Sequence, residues 1–178
     1  ATPPCVNDHT AVSGGSSSGA AASVAFGLAP MALGSDTGGS VRIPAAWNDL
    51  VGLKTTSGRI SLQGVVPLCA RFDTVGPLCR SVEDAALALA ALEGSNPVDL
   101  TNTTLEGRRF AICDTAAFDD IREEPLAGFN SAIDSLKRMG AIVDRIKIPQ
   151  VQDALALTGV LFAPEAYGCL LYTSDAAD

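Results

Sequence analysis

Apolar positions recur at helical spacing most clearly between residues 81 and 94. Val82, Ala85, Ala86, Leu89 and Leu92 fall on one side of a helix drawn through that stretch. Ser81 stands just before it with Asp84 three positions on, and Gly94 follows, which predicts an N-cap and a left-handed stop. Further along, the pattern changes period twice. It predicts a strand over 109–113, a helix over 125–139 and a strand over 141–148. Phe129, Ile133 and Leu136 give that helix a buried stripe, and Gly140 ends it. Strand, helix and strand joined by short links predict a parallel pair with a right-handed crossover. Residues 151–168 read as one more helix, with Leu155, Leu161 and Phe162 turned inward.

Ahead of Ser81 the elements are shorter. An Ala-rich helix is expected over 18–28. A buried strand follows over 30–34, and the whole uncharged run 20–33 reads as core. Residues 40–47 suggest a short helix interrupted near Pro44. Short strands are expected over 51–53 and 58–62, then loops and brief strands over 65–78, limited by Pro67 and Pro77. Lys54 and Arg59 are expected to meet carboxylates or backbone carbonyls. Residues 1–12 are an irregular lead-in, and 95–107 are polar and turn-rich enough to be a linker. The fold class is α/β, a mixed β-sheet covered by α-helices.

Composition narrows the classes. The 178 residues are 47% hydrophobic with mean hydropathy +0.26, which implies a packed globular chain. A net charge of −8 with no basic patch argues against nucleic acid as a direct partner. No apolar run reaches the length of a membrane span. The cysteines at 5, 69, 79, 113 and 169 are odd in number and lack C-x-x-C spacing, so neither a zinc site nor a disulfide framework is expected. Free thiols in a reducing, cytoplasmic compartment fit that spacing.

The candidate chemistry lies in two small-residue loops, Gly14-Gly15-Ser16-Ser17-Ser18-Gly19 and Gly34-Ser35-Asp36-Thr37-Gly38-Gly39-Ser40. Glycines allow close backbone approach, and the serines present hydroxyls. The N–H groups of Thr37, Gly38 and Gly39 can converge on one point. A helix beginning at Ser40 would add its positive end there, an arrangement suited to a developing oxyanion. Other readings are weaker. The Walker pattern fails, because no Gly-Lys-Ser/Thr follows the first loop. Asp36-Thr37-Gly38 lacks the second copy that an aspartic-protease dyad needs. His9, the lone histidine, has no Ser-His-Asp spacing around it and reads as a solvated loop residue. Ser40 as a mere helix cap is the bland alternative.

The elements GGSSSG, SDTGGSVRIPAA, VGLKTTSGRIS, VVPL and DTVGPLCRSVEDAA follow one another from Gly14 to Ala86. In this order they resemble the signature of the amidase signature family, serine hydrolases with a Ser-Ser-Lys triad. Weaker similarity continues to Gly168. The resemblance implies that Ser40 is the nucleophile and Ser16 the bridging serine, held by a cis peptide bond. It implies that Thr37, Gly38 and Gly39 form the oxyanion hole, and that Ser17, Asp36 and Arg42 support the loop. Asp73-Thr74-Val75-Gly76 resembles a family segment near the floor of the site. The family's general-base lysine lies upstream of the bridging serine, whereas the first lysine here is Lys54. The expectation is therefore a fragment of a longer enzyme, or a protein without its base, with little turnover on its own.

The domain reading is a partial amidase signature domain over 1–168. Its signature core is 12–94, its linker 95–107, and a β-α-β and helix occupy 108–168. Residues 169–178 read as a non-native tail resembling adaptor read-through. The implied reaction is hydrolysis of a carboxylic amide to acid and ammonia or amine through a Ser acyl-enzyme. No metal and no cofactor are implied. The expected partner is a small-molecule amide substrate, with a homodimer as an allowed assembly. The alternatives are the amidase subunit of a tRNA-dependent amidotransferase complex and a non-catalytic homologue. Trp47-Asn48-Asp49, where that subunit usually has a shorter Cys-containing turn, favours the free-standing enzyme.

Overall fold

The computed structural model describes residues 2–175. The chain is α/β, and its described residues divide into a first unit of residues 2–100 and 164–175 and a second of residues 101–163. The division falls within the polar 95–107 stretch.

The first unit holds α1 (Ser18–Ala25), β1 (Met31–Asp36), α2 (Arg42–Trp47), β2 (Val51–Gly52), β3 (Thr74–Cys79) and α3 (Val82–Glu93). Its strands form an antiparallel sheet in the order β1-β3-β2, with Asp36 opposite Thr74 at one end and Met31 opposite Cys79 at the other. Small side chains let the helices approach the central strand: Ala21, Val41, Ala45 and Leu78 form one buried cluster. The Arg80 guanidinium donates to the carbonyls of Val24 and Ala29 and so closes the C-terminal end of α1. In α3 the Ser81 hydroxyl accepts from the Asp84 N–H at 3.0 Å, and Gly94 takes φ 67°, as the pattern predicted.

Several expectations change. The run 20–33 is not all core: Ala21, Ala22 and Val24 are buried, whereas Phe26, Leu28, Met31 and Leu33 are exposed. On α3 the buried positions are Ala85, Ala88 and Ala90, and Val82 is exposed, because it sits in the first turn. No strand forms over 58–62, which is turn and irregular chain. α2 is not interrupted at Pro44. Proline there occupies the first turn, where no intrahelical donor is needed.

Pro77 does not limit β3; it lies inside the central strand. Its carbonyl accepts the Leu53 N–H at 3.0 Å, so its donor-less nitrogen faces the edge where β2 has already ended. Gly76 is required beside it, since a Cβ there would lie 1.9 Å from the Leu53 carbonyl oxygen. Lys54 Nζ donates to the Thr55 carbonyl, and Arg59 pairs with Glu93.

The second unit holds β4 (Arg109–Asp114), α4 (Glu123–Arg138) and β5 (Ile142–Lys147), with one 3₁₀ turn at Ala116–Phe118. β4 and β5 are parallel, Arg109 opposite Ile142 through Asp114 opposite Lys147. The buried stripe of α4 is shallower than expected: Ile133 and Leu136 are half-buried, and Phe129 is exposed while meeting Phe118 edge to face at 5.3 Å.

α5 (Gln150–Asp175) begins in the second unit and ends in the first. Leu155 and Leu161 are exposed rather than buried, and only Phe162 of the three is partly covered. Of the tail read as foreign, residues 169–175 continue α5, and 176–178 lie outside the described residues. Among the described residues no helix is long and apolar enough to cross a membrane.

Candidate active site

β1 ends by delivering Asp36 into the turn that leads to α2, and its carboxylate is wholly buried. Backbone N–H groups of Gly39, Val41 and Arg42 donate to it at 2.8, 3.1 and 3.4 Å. Arg42 adds Nε on Oδ2 and Nη2 on Oδ1, each at 3.0 Å. Burial alone would raise the pKa of this carboxyl. The Arg42 bonds and the Val41 and Gly39 N–H groups outweigh burial and hold it at about 2. Charge-assisted bonds of this kind are among the stronger ones in proteins. Gly39 takes φ 126°, and a Cβ there would press on Ile43 Cδ1 at 2.8 Å, so the turn needs glycine.

The other loop meets this one through Ser17. The Ser17 N–H donates to the Ser40 carbonyl at 3.1 Å, and its hydroxyl donates to the Ser35 carbonyl at 3.2 Å. Gly34 makes room for it, since a Cβ at 34 would stand 2.5 Å from Ser17 Oγ. The Gly15–Ser16 peptide bond is cis. Ser16 is exposed and Ser40 half-buried, on two loops joined directly by Ser17. A cavity of about 420 Å³ is lined by Ser17, Ala20, Leu33, Gly34, Ser35, Val65 and Val75.

The geometry corrects two expectations. α2 begins at Arg42 after Val41, so Ser40 neither starts the helix nor caps it. The Gly39 N–H, expected to converge with those of Thr37 and Gly38, donates to Asp36 alongside the N–H groups of Val41 and Arg42. Of the three expected oxyanion donors, Gly39 is thus already bonded; Thr37 and Gly38 lie on the outer part of the turn, half-buried and exposed. His9 is exposed, its ring 5.7 Å from Phe26, and stands apart from this bonding.

Sequence reasoning gave little weight to three residues that build the site. Asn48 is buried; its amide donates to the carbonyls of Ser13 and Pro44 at 2.8 Å, and its oxygen accepts the Val6 N–H at 3.0 Å. This ties the lead-in to α2. Asp73 accepts the Thr37 hydroxyl at 2.5 Å. The Thr74 hydroxyl donates to the Asp36 carbonyl at 2.9 Å. The D-T-V-G segment that pointed to the floor of the site was the available signal for the last two.

Among the described residues no group of His, Cys, Asp and Glu side chains could hold a metal ion. Cys5, Cys69, Cys79 and Cys113 are free thiols. Burial raises the Cys69 thiol pKa, and the neighbouring Glu165 carboxylate raises it further.

Two glycine-serine loops are thus joined around a buried and arginine-paired aspartate on an α/β scaffold. The family model for amidases matches residues 2–177, and the chain belongs to that family. The A-subunit of glutamyl-tRNA(Gln) amidotransferase from Staphylococcus saprophyticus is a relative, 39% identical over 172 residues, covering 89% of this chain and 36% of the relative. The chain therefore spans about a third of the length of that relative. A crystal structure of the same protein from Thermotoga maritima matches with a TM-score of 0.85 and 34% identity, over 94% of this chain and 40% of that one. The native peptide amidase of Stenotrophomonas maltophilia matches with a TM-score of 0.73 and 32% identity, over 89% of this chain and 36% of that one.

Proposed function

We propose that the protein carrying this chain hydrolyses a carboxylic amide through a serine acyl-enzyme. Ser40 Oγ attacks the carbonyl carbon, and its proton passes through the Ser16 hydroxyl to a lysine that the family resemblance places upstream of Ser16. The N–H groups of Thr37 and Gly38 hold the oxyanion. Gly39 is left out of that role because its N–H is bonded to Asp36. The proton returns to the leaving nitrogen, the C–N bond breaks, and water then releases the acid. Asp36 and Arg42 shape the turn and take no part in bond-making.

The observation that carries this reading is the pair of Ser17 bonds, to the Ser40 and Ser35 carbonyls, which set the Ser16 loop against the Ser40 turn. A nucleophilic hydroxyl needs such a neighbour to take its proton. The partner proposed is a small-molecule amide, with a homodimer as an allowed assembly. The buried thiols of Cys5, Cys69 and Cys79 support a reducing, cytoplasmic compartment.

A second reading is favoured by the relatives' names. The Staphylococcus saprophyticus and Thermotoga maritima proteins are both amidotransferase components, at 39% and 34% identity, against 32% for the peptide amidase. On that reading the same acyl-enzyme would release ammonia from an amide inside a complex.

The test uses the full-length protein. Wild type should turn over amides and label covalently at Ser40 with a fluorophosphonate. Ser40→Ala should lower kcat by about a thousandfold or more and abolish labelling. Retained turnover in Ser40→Ala would overturn the proposal. Glutamine hydrolysis that appears only with partner proteins and aminoacyl-tRNA would select the second reading.

A further inference from the structure

Asp73 is a buried carboxylate that no step of the proposed reaction uses. Its Oδ1 accepts the Thr37 hydroxyl at 2.5 Å. Its Oδ2 accepts the backbone N–H groups of Leu68 and Cys69 at 2.8 and 3.0 Å. The Cys69 carbonyl in turn accepts the N–H groups of Phe72 and Asp73, so residues 69–73 form a closed turn around that carboxylate. The outer side of the turn is held as well. Glu165 accepts the Cys69 thiol at 3.1 Å and the Arg71 N–H at 3.4 Å, and pairs with the Arg71 guanidinium at 3.1 Å.

The placement matters because of where the strand ladder stops. β1 and β3 end their pairing at Asp36 opposite Thr74. Two side-chain bonds then run between neighbouring residues across that end. The Thr74 hydroxyl donates to the Asp36 carbonyl, and the Thr37 hydroxyl donates to Asp73. The peptide between Asp36 and Thr37, which carries the Thr37 N–H, is thus held from both sides just past the last rung. A bond from a hydroxyl to a buried carboxylate is strong enough to fix that orientation. A donor to a developing oxyanion acts through its pre-set position, and small displacements there cost rate.

We propose that Asp73 is a positioning residue for the Ser40 turn, acting through the Thr37 hydroxyl, with Glu165 anchoring the turn that carries it. This deepens the reading of Ser40 as nucleophile and rests on it. A merely structural Asp73 would affect stability and leave the kcat of the folded enzyme unchanged.

The experiment compares wild type, Thr37→Val, Thr37→Ser, Asp73→Asn, the double variant Thr37→Val with Asp73→Asn, and Glu165→Gln, all in the full-length protein. Tm, kcat and KM on one amide, and the rate of fluorophosphonate labelling at Ser40 are measured for each. Thr37→Val and Asp73→Asn should each lower kcat and the labelling rate about ten- to a hundredfold, with KM within about twofold. The double variant should be no slower than the slower single one, because both break the same bond. Thr37→Ser should recover to within about threefold of wild type, and Glu165→Gln should lose about threefold. If Asp73→Asn fails to fold, Thr37→Val against Thr37→Ser carries the test alone, since it removes one hydroxyl and returns it. Wild-type labelling with unchanged labelling and kcat in Thr37→Val would overturn the positioning role alone, as would multiplying effects in the double variant. Absence of Ser40 labelling in wild type would overturn the nucleophile reading, and this proposal with it.

Discussion

Asp36–Arg42 in the first unit and Asp144–Arg109, one of two aspartate–arginine pairs among the described residues of the second, are built differently. In the first unit Asp36 is 0% exposed, takes two bonds from a half-exposed Arg42 and three more from the backbone, and has its pKa held at about 2. In the second unit the Asp144 side chain is 50% exposed and Arg109 73% exposed, and one bond joins them. The first pair sits inside a turn whose backbone N–H groups also donate to the carboxylate. The second is a solvated contact between neighbouring strands. The same division runs through the burial as a whole. Among the described residues the buried polar side chains are Ser13, Asp36, Asn48, Thr55, Asp73 and Thr74, all in the first unit. Buried polar groups are as a rule hydrogen-bonded, and all of these but the Ser13 hydroxyl have a partner, which narrows the set to one geometry. That is the physical reason the candidate site belongs to the first unit. The second unit, a parallel pair with one helix on it, has little fully buried surface of its own.

The sharpest way to break this contrast is at Gly76. Gly76→Ala should destabilise the first unit by about 3 kcal/mol or more, because the new methyl meets the Leu53 carbonyl inside the central strand. A fall in the urea midpoint of unfolding checks it, and a wild-type midpoint would show that the sheet can open there.

Removing the Asp36 charge should come next. Asp36→Asn should cost about 2 kcal/mol at neutral pH, the worth of a carboxyl pKa lowered from 3.8 to about 2. The sign follows from a depressed folded-state pKa: the stabilisation is fully present above pH 3.8 and is lost as pH falls through about 2. Stability followed between pH 5 and pH 2 should slope steeply in wild type and less in Asp36→Asn. Equal slopes would mean the carboxylate is not what the turn is built on.

The smallest effect is expected at the exposed pair. Arg109→Ala should change stability by less than about 1 kcal/mol, and added salt should shrink that change further. A larger loss in the same unfolding experiment would erase the contrast between the two pairs.

Local signals in the sequence were enough for some elements. Ser81 and Gly94 bracket α3 because a hydroxyl at the N-cap and a glycine at the left-handed stop act on their own neighbours. The parallel β4-β5 pair followed from period and link length. The two glycine-serine loops were visible too, since close backbone approach leaves little choice of residue at Gly34 and Gly39. Side-chain exposure was much less legible. Val82, Phe129, Leu155 and Leu161 all have helical spacing, and spacing alone does not say whether anything covers them.

The amino-acid sequence by itself determined the α/β class, the capped helix, the parallel pair and the two loops, because each depends on residues close together along the chain. Tertiary structure decided where the polar groups were used. Only the sheet brings Asp73 beside Thr37, and only the early end of β2 makes Pro77 acceptable in a central strand. Those outcomes depend on partners dozens of residues away or on where a neighbouring strand stops, and no local pattern carries that information.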